Sequence, residues 1–374
     1  MNKELIDVNF DGNPYEILIQ RGAIDHIASM LTKKTNNNKV IIIADSFFAN
    51  SIVKKIDTIL KDNSFEVFTH LMEAGKGNKN INEVLKIYSI LEENDLARDS
   101  TLIAVGGGVI GDLAGFVAST WYRGMNLVHI PTTLMAMVDS SVGGKVAINF
   151  RQTINAIGNY YHPLFTLMDL DLIDTLPKRD YVSGIAEVIK CAIINDSDFF
   201  KYLEENVDKI LSKDENSVIY FIAKTIKIKI DHVLGDVREG NKRLLLNYGH
   251  TLGHAIEIST EKNHQEQYRH GEGVSIGIAA VAYIATKYLR LDKEVEESIV
   301  NLCISYGLPI YVDSEKLGFS REILLKKCKR NVNKDKKRIN NRLRLLLADK
   351  IGKASIYTEV PFKYIEEAFE YIIK

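Results

Sequence analysis

The chain is 374 residues long, more than one hydrophobic core comfortably organises, so two domains are expected. Apolar residues make up 46% and charged residues 26%, and the formal net charge of −1 provides no global attraction to nucleic acid or to an anionic membrane surface. Cys191, Cys303 and Cys328 are odd in number, far apart and without a CxxC pair, which points to reduced thiols and a cytoplasmic protein. Met1-Asn2-Lys3-Glu4 leads into alternating strand-like sequence and not into the apolar run of a secretory signal. The longest apolar stretch, Leu102 to Trp121, carries Asp112 and five glycines, which excludes a spanning helix.

In the first half, short β-rich runs alternate with helical periodicity. Strands are predicted at Tyr15–Ile19, Val40–Ala44, Phe65–His70, Thr101–Val105 and Asn126–Ile130, and an amphipathic helix at Ile81–Glu93. Strand-then-helix repetition indicates an α/β domain, a Rossmann-like parallel sheet covered by helices. After Pro177 helices dominate, at Tyr181–Ile194, Val218–Leu234, His250–Thr260, Val274–Leu289 and Glu294–Tyr306. A strand at Leu343–Leu347 and a closing helix at Pro361–Ile373 follow. The expected division is therefore an α/β domain over residues 1–177 and a mostly α-helical domain over residues 178–374.

Gly106-Gly107-Gly108-Val109-Ile110-Gly111-Asp112 falls at a strand-to-helix junction, where backbone N–H groups can approach a pyrophosphate. The GxGxxG spacing alone is a weak signal, because the motif lies about a hundred residues too late for a first-strand dinucleotide fingerprint, and a tight βα turn is the alternative reading. Asp45, closing the Val40–Ala44 strand, is either a ribose contact or an ordinary strand-end carboxylate.

The strongest constellation lies in the second half. His250 and His254 stand at i and i+4, on one helix face, and His270-Gly271-Glu272-Gly273 begins sixteen residues further on. Upstream, Gly184-Ile185-Ala186-Glu187-Val188-Ile189-Lys190 sets Glu187 and Lys190 in a helix apolar almost all round. Such a helix is buried, and a buried carboxylate needs a partner. Imidazoles with a carboxylate suit a catalytic Zn²⁺. Taken singly, an HxxxH pair is more often structural, and Glu187 with Lys190 can be a plain i,i+3 ion pair. Four of the nine histidines within twenty-one residues favour the metal. Cations are spread more widely, at Arg123, Lys145, Lys229, Arg243 and Lys336. The Lys326–Arg344 stretch is either a solvated basic face or a loop that closes over a phosphate.

Together these residues resemble the 3-dehydroquinate synthase family. The resemblance is carried by Gly106–Asp112, Arg123-Gly124, Pro131-Thr132-Thr133, Asp139-Ser140-Ser141-Val142-Gly143-Gly144-Lys145, Gly184–Lys190, Leu246–Thr251 and His270-Gly271-Glu272, in the family's order and nearly its spacing, from about residue 40 to residue 350. It implies a divalent metal, Zn²⁺ or Co²⁺, on Glu187, His250 and His270, with His254 as a nearby active-site histidine. It implies NAD on Asp45, Lys79, Gly106, Gly107, Gly108, Asp112, Thr132 and Thr133. It implies contacts to a sugar-phosphate substrate from Asp139, Lys145, Asn155, Lys190, Lys229, Arg243, Asn247 and Lys336 or Lys337. Arg123 matches the arginine that reaches the partner subunit's site, which implies a homodimer; neither nucleic acid nor a membrane is implied as a partner.

Two positions depart from the family pattern. Lys76 stands where the cofactor motif has a glutamate, and Ile154 stands where a substrate-side lysine is usual. The implied reaction closes a seven-carbon 2-keto-3-deoxy sugar-acid phosphate to 3-dehydroquinate and phosphate, with transient oxidation by NAD. The rivals are a related cyclase (an aminodehydroquinate, inosose or valiolone synthase), a metal-dependent NAD alcohol or glycerol dehydrogenase, and a binding protein that has lost catalysis. The cationic set argues against a small neutral alcohol as substrate.

Overall fold

The strand-like alternation at the start of the chain is an antiparallel pair, β1 (Lys3–Phe10) and β2 (Asn13–Gln20), in which every second residue of β1 from Ile6 onward is buried. The computed structural model describes residues 2–10, 12–73, 75–151, 153–262, 265–333 and 343–374. By internal contacts it divides into two units, one of residues 1–177 with 218–238, the other of residues 178–217 with 239–374.

The first unit is built on a seven-stranded sheet. After β2 come α1 (Ile27–Lys34), β3 (Lys39–Asp45), α2 (Lys54–Asp62), β4 (Glu66–Met72), α3 (Ile81–Glu93), β5 (Thr101–Gly106), α4 (Gly108–Thr120) and β6 (Asn126–Pro131). A hairpin of β7 (Lys145–Phe150) and β8 (Thr153–Tyr160) forms its own two-stranded sheet, and β9 (Phe165–Asp169) returns to the main one before the short α5 (Asp171–Asp174). The strand order is β1-β2-β9-β6-β5-β3-β4, parallel throughout except for β1. In β3 the run Val40–Ala44 is buried, as is all of β5. Continuous apolar strands of that kind are what a parallel sheet covered on both faces requires.

The chain leaves β3 toward β4 on one side and then returns to β5 on the other. The order therefore reverses between β3 and β5, and the crevice outside their carboxyl ends is where ligands bind in such sheets. Asp45 ends β3 and Gly106 ends β5. The glycine-rich turn is late in sequence because it follows the strand across the switch point from β3, the first strand of the doubly wound part.

The second unit begins with α6 (Lys178–Asn195), whose residues 181–194 are all buried. It continues with α7 (Ser197–Glu205), α8 (Val207–Leu211) and the start of α9 (Glu215–Val233), which from Val218 onward belongs to the first unit. The helix read at Val218–Leu234 thus groups with the sheet domain and not with the helices that flank it in sequence. The unit resumes with α10 (His250–Thr260), α11 (His270–Ile284), α12 (Lys293–Ser305) and α13 (Arg321–Asn333). An antiparallel pair, β10 (Leu345–Lys350) and β11 (Lys353–Tyr357), precedes α14 (Phe362–Ile372). No helix among the described residues is long and apolar enough to cross a membrane.

In β6, His129 is buried, and burial pushes its imidazole down to about 4 from an ordinary 6.5. The unfolded chain binds that proton first as pH falls. Its contribution to stability is therefore complete above pH 6.5, declines between pH 6.5 and 4, and is flat below. Chemical denaturation of wild type and His129→Leu across this range should diverge by roughly 3 kcal/mol at the acidic end. Parallel curves would contradict the assignment.

Candidate active site

In the second unit, glycines let helices approach closely enough to gather polar side chains. A Cβ on Gly271 would lie 1.8 Å from the carbonyl oxygen of Ser183 in α6, and one on Gly277 would lie 2.0 Å from that of Gly249 ahead of α10. Only glycine fits at such contacts, so α11 lies flat against both neighbours. Both His250 and His270 are the first residues of their helices.

The resulting cluster centres on Glu187, which is 1% exposed. Its Oε2 accepts from Nζ of Lys190, itself 2% exposed, so the buried carboxylate meets a buried ammonium one turn along the helix. Its Oε1 accepts no hydrogen bond among the described residues, and it faces His250 Nε2 at 3.5 Å and His270 Nε2 at 3.7 Å. Both rings are held from behind, His250 Nδ1 against the Tyr248 carbonyl and His270 Nδ1 against Glu257 Oε1, each at 3.1 Å. His254 completes a group of three imidazoles whose ligating nitrogens lie within 4.8 Å of one another. Two atoms that each bind a tetrahedral Zn²⁺ at about 2.1 Å stand roughly 3.4 Å apart. The spacings around Glu187 Oε1 fit that requirement, and a buried carboxylate oxygen without a donor calls for a cation.

Elsewhere in this unit, Arg243 is buried at 2% exposure on a 3-10 turn, and Asn247 on the same turn donates to Glu239 Oε1 at 2.5 Å. The sequence reading did not single out Glu239 or Glu257. Glu257 carries a signal, since it lies three residues beyond His254 on the same helical face.

The first unit holds two further groups. Lys79 is buried and donates to Asp112 Oδ2 and to Asn155 Oδ1, both at 2.5 Å. Burial raises the Asp112 carboxyl above its ordinary range, and the Lys79 ammonium pulls against that shift. Lys229, also buried, donates to Asp139 Oδ1 at 2.5 Å and to the Asp139 carbonyl. At the ends of β3 and β5, Asp45 accepts from Phe47 N–H, and Gly106 leads into Gly107 and Gly108 at an α4 N-terminus that no side chain caps. Thr132 donates its N–H to the Gly106 carbonyl, and Thr133 caps the next helical turn through Ala136 N–H. Lys145 is exposed at the start of β7, Ile154 is half exposed on β8, and Arg123 is exposed beside Tyr122, both with positive φ. Lys336 and Lys337 lie outside the described residues.

Comparison with known proteins gives these groups a family. The 3-dehydroquinate synthase N-terminal profile matches residues 69–183, and the 3-dehydroquinate synthase C-terminal profile matches residues 184–338. A 3-dehydroquinate synthase of Thermodesulfovibrio yellowstonii is 39% identical over 96% of this chain and 97% of its own length. Another, of Prochlorococcus marinus, is 38% identical over the same shares. The chain belongs to the 3-dehydroquinate synthase family. Solved structures under 25% identical share its fold. A 2-deoxy-scyllo-inosose synthase complexed with carbaglucose-6-phosphate, NAD⁺ and Co²⁺ aligns over 98% of this chain and 100% of its own, at a TM-score of 0.87 and 23% identity. A 2-epi-5-epi-valiolone synthase from Streptomyces hygroscopicus with NAD⁺ and Zn²⁺ aligns over 96% of each chain, at 0.83 and 21%. An NADH-dependent butanol dehydrogenase from Thermotoga maritima aligns at 0.67 and 16%, over 97% of this chain and 98% of its own. In a member of this family the enzyme is a phosphate-eliminating lyase, and the dehydrogenase reading is not favoured.

The buried ion pair gives a prediction that needs no ligand. Glu187→Leu leaves Lys190 buried without that carboxylate and should destabilise the metal-free protein by about 3 kcal/mol in denaturant titrations at neutral pH. Adding Lys190→Met should recover most of the loss. Failure of the second change to recover stability would mean that the two side chains are not energetically coupled.

Proposed function

We propose that this chain is a 3-dehydroquinate synthase that converts a seven-carbon 2-keto-3-deoxy sugar-acid phosphate to 3-dehydroquinate and phosphate. The observation that carries the reading is Glu187 Oε1, buried and without a hydrogen-bond donor, between the Nε2 atoms of His250 and His270. These three residues would hold the divalent ion, Zn²⁺ or Co²⁺. NAD would lie on Asp45, Lys79, the Gly106–Gly108 turn, Asp112, Thr132 and Thr133, at the crevice where the strand order reverses. When bound, NAD would take up and return a hydride, and the ion would polarise the oxygen at the carbon oxidised.

The chain's own side chains supply the rest. Lys190 engages Glu187 Oε2 and so leaves Oε1 turned toward the two imidazoles. His254, one helical turn from His250, takes and returns the hydroxyl proton. A phosphate dianion must be bound and then released, and the substrate carries a second anion, its carboxylate. Lys145, Lys229 and Arg243, with Lys336 or Lys337, neutralise the two, and the planar fork of Arg243 suits the carboxylate. Asp139 orients the Lys229 ammonium, Asn155 is fixed by Lys79, and Asn247 is fixed by Glu239. Arg123 is proposed to serve the site of a second copy, which makes the working form a homodimer. The three buried, free thiols suit the cytoplasm.

The test is phosphate release from this sugar-acid phosphate and from sedoheptulose 7-phosphate, with NAD⁺ in small amount and absorbance followed for NADH. The expected result is turnover of the acid in excess of NAD⁺ without accumulation of NADH. Glu187→Ala should lose its bound metal and on the order of a thousandfold in rate. Preference for sedoheptulose 7-phosphate would assign the chain to another cyclase, and stoichiometric NADH would make it a dehydrogenase.

A further inference from the structure

We infer that Glu257 is a positioning residue, which fixes the ring of His270 so that Nε2 faces Glu187, and that Gly273 is what allows it to reach. The inference rests on the ion-binding reading of Glu187, His250 and His270. Glu257 lies on α10, and its Oε1 stands 3.1 Å from His270 Nδ1, while the opposite edge of the ring presents Nε2 at 3.7 Å from Glu187 Oε1. A ring that donates Nδ1–H to a carboxylate has its lone pair on Nε2, and the hydrogen bond opposes rotation about the Cβ–Cγ axis.

The two imidazoles need this help unequally. His250 is only 10% exposed and is braced by the Tyr248 carbonyl, just ahead of its own helix. His270 is 32% exposed at the first residue of α11, so packing alone constrains its ring less, and its brace comes from a different helix. That helix can deliver a carboxylate only if nothing fills the space between. A Cβ on Gly273 would lie 2.6 Å from Glu257 Cγ and 2.7 Å from Glu257 Oε1. A methyl there displaces the flexible Glu257 side chain in preference to backbone, so the absence of a side chain at 273 keeps the carboxylate against His270. The second glycine of the His270–Gly273 segment thereby has a role that its sequence does not announce.

The experiment is Zn²⁺ titration of metal-free protein against a chromophoric chelator, alongside the thermal midpoint of the same metal-free samples. Glu257→Ala should bind Zn²⁺ roughly 10- to 100-fold more weakly. Glu257→Gln, whose amide oxygen still accepts the Nδ1–H, should lose less, and the midpoint of Glu257→Gln should match wild type. Wild-type affinity in Glu257→Ala, where Glu187→Ala has lost the ion, overturns the positioning role and leaves the ion site standing. Wild-type affinity in both variants overturns the ion site as well. Should Glu257→Ala fail to fold, Gly273→Ala carries the test, with weakened Zn²⁺ binding expected and unchanged binding overturning the role.

Discussion

A carboxylate in the middle of a helix that is buried on every side is the constraint from which the candidate site follows. Removing Glu187 from water is costly, and one ammonium on one of its two oxygens satisfies only half of it. The other oxygen needs positive charge, and two imidazole nitrogens converge on it without being hydrogen-bonded to it. Helix α6 is apolar because it packs against α7 and α11, and the same packing makes the second, buried oxygen of Glu187 chemically demanding. Structure and chemistry are therefore one problem here: the helix that builds the core of its unit also carries the carboxylate proposed to hold the ion.

The sheet unit solves a different problem by topology. Asp45 and the Gly106–Gly108 turn are sixty residues apart in sequence, yet β3 and β5 pair directly, with Ala44 opposite Val105. The reversal of strand order puts a carboxylate on one side of the switch point and an uncapped helix N-terminus on the other, the acid-and-amide pair that suits a ribose and a pyrophosphate. Butanol and glycerol dehydrogenases share this architecture at low identity, so the fold by itself does not select among chemistries. The side chains are where such chemistries can differ: Lys79, Lys190 and Lys229 are buried against Asp112, Glu187 and Asp139, and Arg243 is buried as well.

Much of this was legible in the sequence where a pattern is local and strong. Ile81–Glu93 and His250–Thr260 have the helix bounds that their periodicity indicates, and the central strands lie where continuous apolar runs indicate them. The start of α11 was not legible: Gly271, Gly273 and Gly277 argue against a helix by propensity, and only packing against α6 and α10 makes them favourable. The β7–β8 hairpin escaped because β8 is exposed along nearly its whole length and shows no period of two. The return of Val218–Arg238 to the sheet unit is a tertiary fact with no local signature. Of the site, the imidazoles and Glu187 were visible as residue types in a spacing. Glu257 acts through one of those imidazoles, and a role of that kind appears only when two helices are placed side by side.

The central claim is geometric: one divalent ion shared by Glu187, His250 and His270. Anomalous diffraction at the zinc edge, from crystals of the Zn²⁺-loaded protein, tests it most directly. The account predicts a single strong peak within bonding distance of Glu187 Oε1 and of Nε2 of both histidines. A peak elsewhere, or one bound to the histidines with Glu187 turned away, would contradict it.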